Sequence, residues 1–460
     1  LFRDRVRTIH FVGIGGIGMS GIAEVLVNLG FAVTGSDSKA GASVERLRGL
    51  GAVVHIGHAA ENLGAADVVV RSAAVPDSNP EVRAAVGKAV PVIPRAEMLA
   101  ELMRLRSGIA VAGSHGKTTT TSMAAACLVA AGYDPTIVIG GRLGILGGSN
   151  ARLGQGEWLV AEADESDGSF LLLSPTMALL TNIDAEHLDH YGTVEALEAA
   201  FLQFVNKVPF YGAAVMCLDH PVVQRLIPAV RRRVITYGLS RNADVRATSV
   251  QAQGLTSTFK VQQGDVVLGE VRLGMPGLHN VVNAVGAVAL ALDMGIAFAD
   301  IQRALDGFGG VQRRFTVRGE VAGVMVVDDY GHHPVEVDAT LKAAADGFPE
   351  RRIVAVFQPH RFTRLRDCWE EFTRAFHHAD VVLVVPVYAA GEEPLAGVDH
   401  EGIAAALRDR GHRGTIAAGS LDAALAELTA RAAAGDVVIM LGAGNVNDLC
   451  APLLTALGAR

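Results

Sequence analysis

A run of buried-strand character, Ile109-Ala110-Val111-Ala112, empties directly into Gly113-Ser114-His115-Gly116-Lys117-Thr118-Thr119-Thr120-Thr121, and a helical pattern follows from Ser122 to Ala131. This succession constrains the fold more than any other feature of the chain. Backbone amides after Gly113 and Gly116 can cradle phosphate oxygens, with Ser114 and His115 completing the loop. Lys117 supplies a point charge to β and γ phosphates, and a hydroxyl of Thr118 or Thr119 can ligate Mg²⁺. The loop is the short G-x-x-G-K-T-T form, since the longer G-x-x-x-x-G-K-[ST] pattern would need its first glycine at Val111. Such a loop binds nucleotide only between a buried strand and a helix. Because Lys117 belongs to a phosphate cradle and not to a core, its removal is expected to spare the fold.

Short β-rich runs alternate with Ala/Leu-rich helical patterns through the rest of the chain, the sequence sign of βαβ units and parallel sheets. An apolar half with only 5% aromatics suits α/β layers. The 460 residues suit about three domains. The strand-turn-helix rhythm restarts at Ile109 and near Gln312-Arg313-Arg314, which divides the chain into 1–106, 107–312 and 313–460. Strands are expected at Val324–Val327, Ile353–Phe357, Val381–Val385 and Val437–Met440, and a small antiparallel addition between about Asp244 and Leu273.

A formal net charge of −8 gives no positive field to steer a polyanion, which argues against nucleic acid. Cys127, Cys217, Cys368 and Cys450 are scattered without a C-x-x-C pair, as in a reducing compartment. No signal-peptide pattern precedes Thr8-Ile9-His10-Phe11-Val12. The best apolar stretch, Val281 to Ala297, is broken by Asn283 and Asp293. A cytoplasmic protein without a membrane partner is expected.

Strand Ile9 to Val12 runs into a second glycine loop, Gly13-Ile14-Gly15-Gly16-Ile17-Gly18, with a helix from about Met19. The next strand, Ala32 to Thr34, ends near Asp37, where a ribose-binding acid belongs. Gly15, Gly16, Ile17 and Gly18, with Asp37 and Ser72, are the candidate binding set for a diphosphate ligand. The loop does not say which diphosphate, and alone it favours a nicotinamide dehydrogenase. The nucleotide loop at Lys117 turns the reading away from that.

Polar groups are massed behind the Lys117 loop. Trp158-Leu159-Val160-Ala161 delivers Glu162, Asp164, Glu165 and Asp167, and Met177 to Leu180 delivers Asn182, Asp184, Glu186, His187 and His190. Carboxylates at the carboxyl ends of parallel strands are natural Mg²⁺ ligands beside a triphosphate. His187-x-x-His190 has neither a thiolate nor an HExxH setting to suggest zinc.

By these residues the chain resembles the Mur ligases, which add amino acids to the peptidoglycan precursor. The resemblance runs in order over essentially the whole sequence. It is carried by Gly13-Ile14-Gly15-Gly16-Ile17-Gly18-Met19-Ser20, Gly113–Thr120, Glu162-Ala163-Asp164-Glu165-Ser166-Asp167 and Gly277-Leu278-His279-Asn280-Val281-Val282-Asn283-Ala284. In the last third it is carried by Arg313-Arg314-Phe315, Asp328-Asp329-Tyr330-Gly331-His332-His333-Pro334 and Gln358-Pro359-His360-Arg361-Phe362-Thr363-Arg364. It implies a three-domain α/β fold: a Rossmann-like N-terminal domain for a UDP-sugar, a central P-loop ATPase-like domain and a Rossmann-like C-terminal domain admitting the amino acid. Within the family, Tyr330–His333 and Arg361–Arg364 are most similar to the alanine-adding branch, which implies UDP-N-acetylmuramate, L-alanine and ATP as substrates. A recycling ligase that attaches a whole peptide to the same sugar nucleotide is the nearest rival.

The resemblance also implies site roles. Glu162 and His187, with Thr118, would hold Mg²⁺, although imidazole is not what hard-cation rules favour. Asn280 and Asn283 would contact adenine, and Arg314 would face the γ-phosphate. His360, Arg361 and Arg364 would line the place where amino acid and acyl phosphate meet. An amine base is also required, and His332, His333 and His360 stay open as candidates. Lys207, the lysine that follows His187, does not align with the carbamylated lysine of some relatives.

Overall fold

The computed structural model describes residues 5–140 and 150–459. They form three sheets. The first is wholly parallel, in the order β3-β2-β1-β4-β5, from strands β1 (Thr8–Val12), β2 (Ala32–Asp37), β3 (Val53–Ile56), β4 (Val68–Arg71) and β5 (Val92–Pro94). Its order reverses beside β1. The crevice at the carboxyl end of such a switch point is where open α/β sheets take ligands, and the first glycine loop lies there.

The second sheet contains β6 (Ser107–Ala112), β7 (Thr136–Val138), β8 (Ala151–Arg152), β9 (Trp158–Glu162), β10 (Met177–Leu180), β11 (Ala213–Cys217) and β12 (Val234–Gly238). It continues through β13 (Val245–Gln253), β14 (Thr256–Gln263) and β15 (Val266–Leu273). Its order is β15-β14-β13-β12-β11-β10-β6-β9-β7-β8. β6 has parallel neighbours on both sides, β10 and β9, so all three strands point their carboxyl ends at one place. The expected antiparallel addition is β13–β15, whose two-residue connections only antiparallel strands can use.

The third sheet holds β16 (Thr316–Val321), β17 (Val324–Asp329), β18 (Arg352–Phe357), β19 (Val381–Val384), β20 (Thr415–Ala417) and β21 (Asp436–Leu441), ordered β16-β17-β21-β18-β19-β20. Only β16 runs antiparallel. The described residues divide into two compact units. One is Leu1–Thr248 with Lys260–Val271 and Val282–Phe308; the other is Ser249–Phe259 with Arg272–Val281 and Gly309–Arg460. No described helix is long and apolar enough to cross a membrane. All four cysteines are free.

Helix boundaries differ from the sequence reading in two places. The helix after the first loop begins at Ile17, not Met19, and the helix before β6 is Arg95–Met103. The helix after the second loop starts at Lys117, five residues before the expected Ser122. The β-branched Thr run masked it. Hydroxyls there bond back into the helix, Thr121 Oγ1 to the Lys117 carbonyl at 2.8 Å and Ser122 Oγ to that of Thr118 at 2.6 Å.

The first sheet is pinned by one buried acid. Glu81 is fully buried and accepts from Ser36 Oγ (2.5 Å), Asn62 Nδ2 (2.6 Å) and Ala59 N–H (3.1 Å), with His10 Nε2 at 3.3 Å. It therefore ties β1, β2 and the loop after β3 together. Burial alone would raise its carboxyl, but the hydrogen bonds from His10, Ser36, Asn62 and Ala59 outweigh it and hold it at about 2, against 4.5 when free. Such a depressed acid contributes about 3 kcal/mol above pH 4.5, lost as pH falls toward 2. Glu81→Gln is expected to destabilise the protein by about that much at pH 7 and to flatten the acid arm of stability. Denaturant unfolding at pH 7 and pH 3 measures both; parallel pH profiles for variant and wild type would contradict the assignment.

Candidate functional site

The Lys117 loop closes on the carboxyl ends of β6, β9 and β10. Gly113 has φ +132°, and a Cβ there would lie 2.1 Å from Thr181 Oγ1, so only glycine fits the turn. Gly116, at φ +79°, precedes the helix Lys117–Ala130. The loop is held from β10's end: His115 N–H donates to Asn182 Oδ1 (2.7 Å), Ser114 N–H to the Asn182 carbonyl (3.1 Å), and Asp184 N–H to Ser114 Oγ (2.9 Å). Asn283 stands beside Gly116, its Oδ1 2.7 Å from where a Cβ would be. Thr119 is buried in the first turn. The Asn280 amide donates to the Pro276 carbonyl at 2.7 Å.

Lys117 Nζ donates to the carbonyls of Gly113 (2.6 Å) and Ser114 (3.1 Å) and to Glu165, whose carboxylate oxygens lie at 2.8 and 2.9 Å. Burial alone would lower the lysine, but Glu165 and Asp164 outweigh it and keep the ammonium charged. Burial pushes Glu165 up. Lys117 therefore has a structural partner as well as the phosphate-facing place expected of it, and the buried Glu165 carboxyl depends on it for a hydrogen bond.

The expected metal-binding residues separate into two neighbouring groups. Thr118 bonds to Glu162, which also accepts from Gly140 N–H at 2.9 Å and is raised chiefly by burial. His187, at φ +56°, faces Glu165 (3.8 Å) and Glu186 (3.7 Å). His115 Nε2 meets Asp184 (3.2 Å) and Glu186 (3.1 Å). Lys207 donates to the Leu171 carbonyl instead of joining this cluster.

In the same unit, Gly15, Gly16, Asp37 and Ser72 line one cleft of about 480 Å³ at the end of β1. Asp37 Oδ2 accepts from Gly15 N–H at 2.8 Å, so the acid expected for ribose also braces the loop. Ile17 and Gly18 line a second cleft of about 240 Å³, which shares Gly16 and Ser72 and is walled opposite by Glu162 and Asp164.

The second unit gathers the remaining candidates at the carboxyl edge of the third sheet. Arg314 pairs with Glu336 Oε1 at 3.3 Å, its guanidinium 5.5 Å from the Tyr330 ring centre. Glu336 Oε2 lies 3.3 Å from His332 Nδ1, which also bonds the Tyr330 carbonyl at 3.1 Å. With two acceptors at Nδ1, His332 carries its proton there and presents a bare Nε2. His360 is the reverse. Its Nδ1 receives Arg364 Nη1 at 3.2 Å, and a guanidinium only donates, so its proton sits on Nε2. Its ring stacks on Tyr388 at 5.5 Å. Arg361 is exposed, at φ 68° and ψ 137°, and is held by its N–H on the Tyr388 carbonyl at 2.9 Å. His333 Nε2 lies 3.6 Å from Cys368 Sγ. Of the three histidines the sequence left open, His332 thus offers a lone pair on a carboxylate-oriented ring.

Glu336, Tyr330 and Tyr388 were not among the expected site residues. Glu336 carried a faint signal, three residues after His333 at a helix start. Its side chain takes the His332 and His333 N–H groups at 3.1 and 3.4 Å, as a capping acid does.

Comparison with known proteins gives one consistent picture. Residues 8–107 match "Mur ligase family, catalytic domain", 111–291 "Mur ligase middle domain" and 313–444 "Mur ligase, glutamate ligase domain". A UDP-N-acetylmuramate–L-alanine ligase of Geobacter sp. (strain M21) is 55% identical over 455 residues, covering 99% of this chain and 98% of the relative. One from Anaeromyxobacter dehalogenans is 55% identical over 457 residues, 99% of each. Among solved structures, UDP-N-acetylmuramate–alanine ligase of Thermotoga maritima matches at TM-score 0.83 and 29% identity, over 98% of this chain and 99% of that one. A murein peptide ligase of Psychrobacter arcticus matches at 0.72 and 27%, over 99% of each.

Burial pulls both His332 and His360 down to about 4, Glu336 opposing the shift at His332. Burial disfavours the imidazolium, so both rings stay neutral from pH 5 upward. Ring ¹⁵N chemical shifts should report the Nδ1–H form for His332 and the Nε2–H form for His360 at pH 7. Titration of His332 near its ordinary 6.5, or the opposite tautomers, would overturn the arrangement.

Proposed function

This chain belongs to the Mur ligase family, and from that premise we propose that it joins L-alanine to the lactyl carboxylate of UDP-N-acetylmuramate in peptidoglycan synthesis. ATP is consumed, and UDP-N-acetylmuramoyl-L-alanine, ADP and phosphate are released. The observation that carries the reading is 55% identity along 99% of the chain to a ligase of that name. The phosphate loop on β6 and the polar carboxyl edge of the third sheet support it.

The lactyl carboxylate attacks the γ-phosphorus, ADP departs and an acyl phosphate forms. The alanine amine attacks the acyl carbon, and the tetrahedral adduct expels phosphate. The residues here mostly align reactants and offset charge. Amides of the Gly113–Thr118 loop take phosphate oxygens, and Lys117 transfers its charge from Glu165 to the β and γ phosphates. Asn280 and Asn283 serve adenine. Arg314, oriented by Glu336, stabilises the transferred phosphoryl group. His332 receives the amine proton at Nε2, His360 donates from Nε2–H, and Arg361 and Arg364 hold the alanine carboxylate or acyl-phosphate oxygens. Gly15, Gly16, Asp37 and Ser72 hold the UDP end, and Ile17 and Gly18 line the adjoining cleft toward its sugar. The three-domain division 1–106, 107–312 and 313–460 follows these three tasks.

A divalent metal fits the residues present. The Thr118 hydroxyl meets Glu162, a carboxylate raised by burial that a cation would compensate, and His187 stands beside Glu165. Thr118 and Glu162 would hold it on one side, with His187 and its acids forming the second group beside it, and oxygen donors favour Mg²⁺. When bound, it neutralises triphosphate charge. The reading puts the reaction in the cytoplasm, where ATP and UDP-sugars are available. The murein peptide ligase shares the fold, and the amine acceptor separates the two readings. Phosphate release should require free L-alanine and should not be supported by a peptide.

Lys117→Ala is expected to abolish ligation and also to lower stability by about 1–3 kcal/mol, because the buried Glu165 carboxyl, already pushed up to about 7, loses its hydrogen-bonding ammonium. Adding Glu165→Leu, which removes the orphaned polar group, should recover part of the stability and not the activity. Turnover by the folded double variant would refute the role of Lys117.

With ¹⁸O in the lactyl carboxylate, one labelled oxygen should leave in the phosphate. Label in AMP, or AMP as a product, would establish adenylation instead.

A further inference from the structure

Arg95 follows β5 directly, at the carboxyl edge of the first sheet, and opens the helix Arg95–Met103. Its guanidinium lies across the first turn of the helix Ile17–Asn28. A Cβ on Gly18 would come 2.7 Å from Arg95 Nη1, so the bare glycine is what leaves it room. Nη2 reaches Asp164 Oδ2 at 3.3 Å, at the end of β9. Arg95 therefore lines the smaller cleft together with Gly16, Ser72, Glu162 and Asp164. Among the described lining residues it is the one basic side chain, facing two acids.

The larger cleft already supplies a diphosphate with loop amides and Lys39. The two clefts share Gly16 and Ser72. A UDP-sugar seated with its diphosphate in the first therefore extends its sugar end into the second, toward Glu162 and the Lys117 loop. A carboxylate arriving there meets two acids and needs a cation. We propose that Arg95 is that cation: it binds the lactyl carboxylate of UDP-N-acetylmuramate and selects for UDP-sugars that carry one. The planar fork suits a carboxylate, and its present partner holds it by a single 3.3 Å contact that substrate can displace. The inference rests on the function proposed above.

The test compares wild type, Arg95→Ala and Arg95→Lys. Isothermal titration measures binding of UDP-N-acetylmuramate and of UDP-N-acetylglucosamine, which shares the uridine diphosphate and amino sugar without the lactyl ether; alanine-dependent phosphate release runs in parallel. Arg95→Ala should weaken UDP-N-acetylmuramate at least tenfold and change UDP-N-acetylglucosamine less than twofold. Arg95→Lys should recover part of the loss, and KM for ATP and alanine should hold. Equal weakening of both sugars would assign Arg95 to the diphosphate or to the fold, and no weakening of either would remove it from the site; both overturn the proposal. A wild type that releases no phosphate with alanine and UDP-N-acetylmuramate would defeat the functional reading instead, whatever the binding data show.

Discussion

A cation buried in the first turn of a helix is opposed twice, by loss of water and by the positive end of the helix dipole. Lys117 occupies that position, and the surroundings are arranged to hold it there. Two loop carbonyls and Glu165 receive its ammonium. Glu165 is available because β9 lies beside β6 and ends at the same edge. The loop keeps its shape because Asn182 and Asp184, from β10 on the other flank, fasten Ser114 and His115. The central strands are thus tied to the needs of one charge. In the proposed function a triphosphate takes over that charge from Glu165.

The same logic recurs at the third sheet with the signs changed. There Glu336 divides its two oxygens between Arg314 and His332, so a single carboxylate orients a cation and fixes a tautomer. Backbone strain accompanies the function. Arg313, Phe315 and Arg361 all have positive φ, and Arg361 combines it with an extended ψ that side-chain-bearing residues avoid. Hydrogen bonds from Arg361 N–H to Tyr388 and from Phe315 N–H to Asp329 (2.7 Å) hold these residues in place.

The first sheet shows how one glycine loop can serve different chemistries. Its strand order and switch point are those of dinucleotide folds, and Asp37 sits where a ribose acid would. Yet Gly15 N–H is braced by that acid, and the cleft beyond it opens toward Glu162 and Asp164. The proposed function uses that opening to bring the ligand's far end to the Lys117 loop on the neighbouring sheet.

Much of this was written in local sequence. Strand, glycine loop and helix occur consecutively at residues 8–28 and 107–130, and their geometry is fixed by glycine conformations and 3.6-residue periodicity, which need no distant partner. The acids after β9 and the Arg-His segments after β17 and β18 were legible for the same reason, since they follow directly on buried runs. What tertiary structure alone decided are relations between residues far apart in the chain. These include Glu165 beneath Lys117, Arg95 over Gly18 and against Asp164, Glu81 gathering three segments, and the opposite tautomers of His332 and His360. Periodicity tells which face of an element is buried. It cannot tell which charge from another element will meet it there, because that depends on how the sheets are ordered.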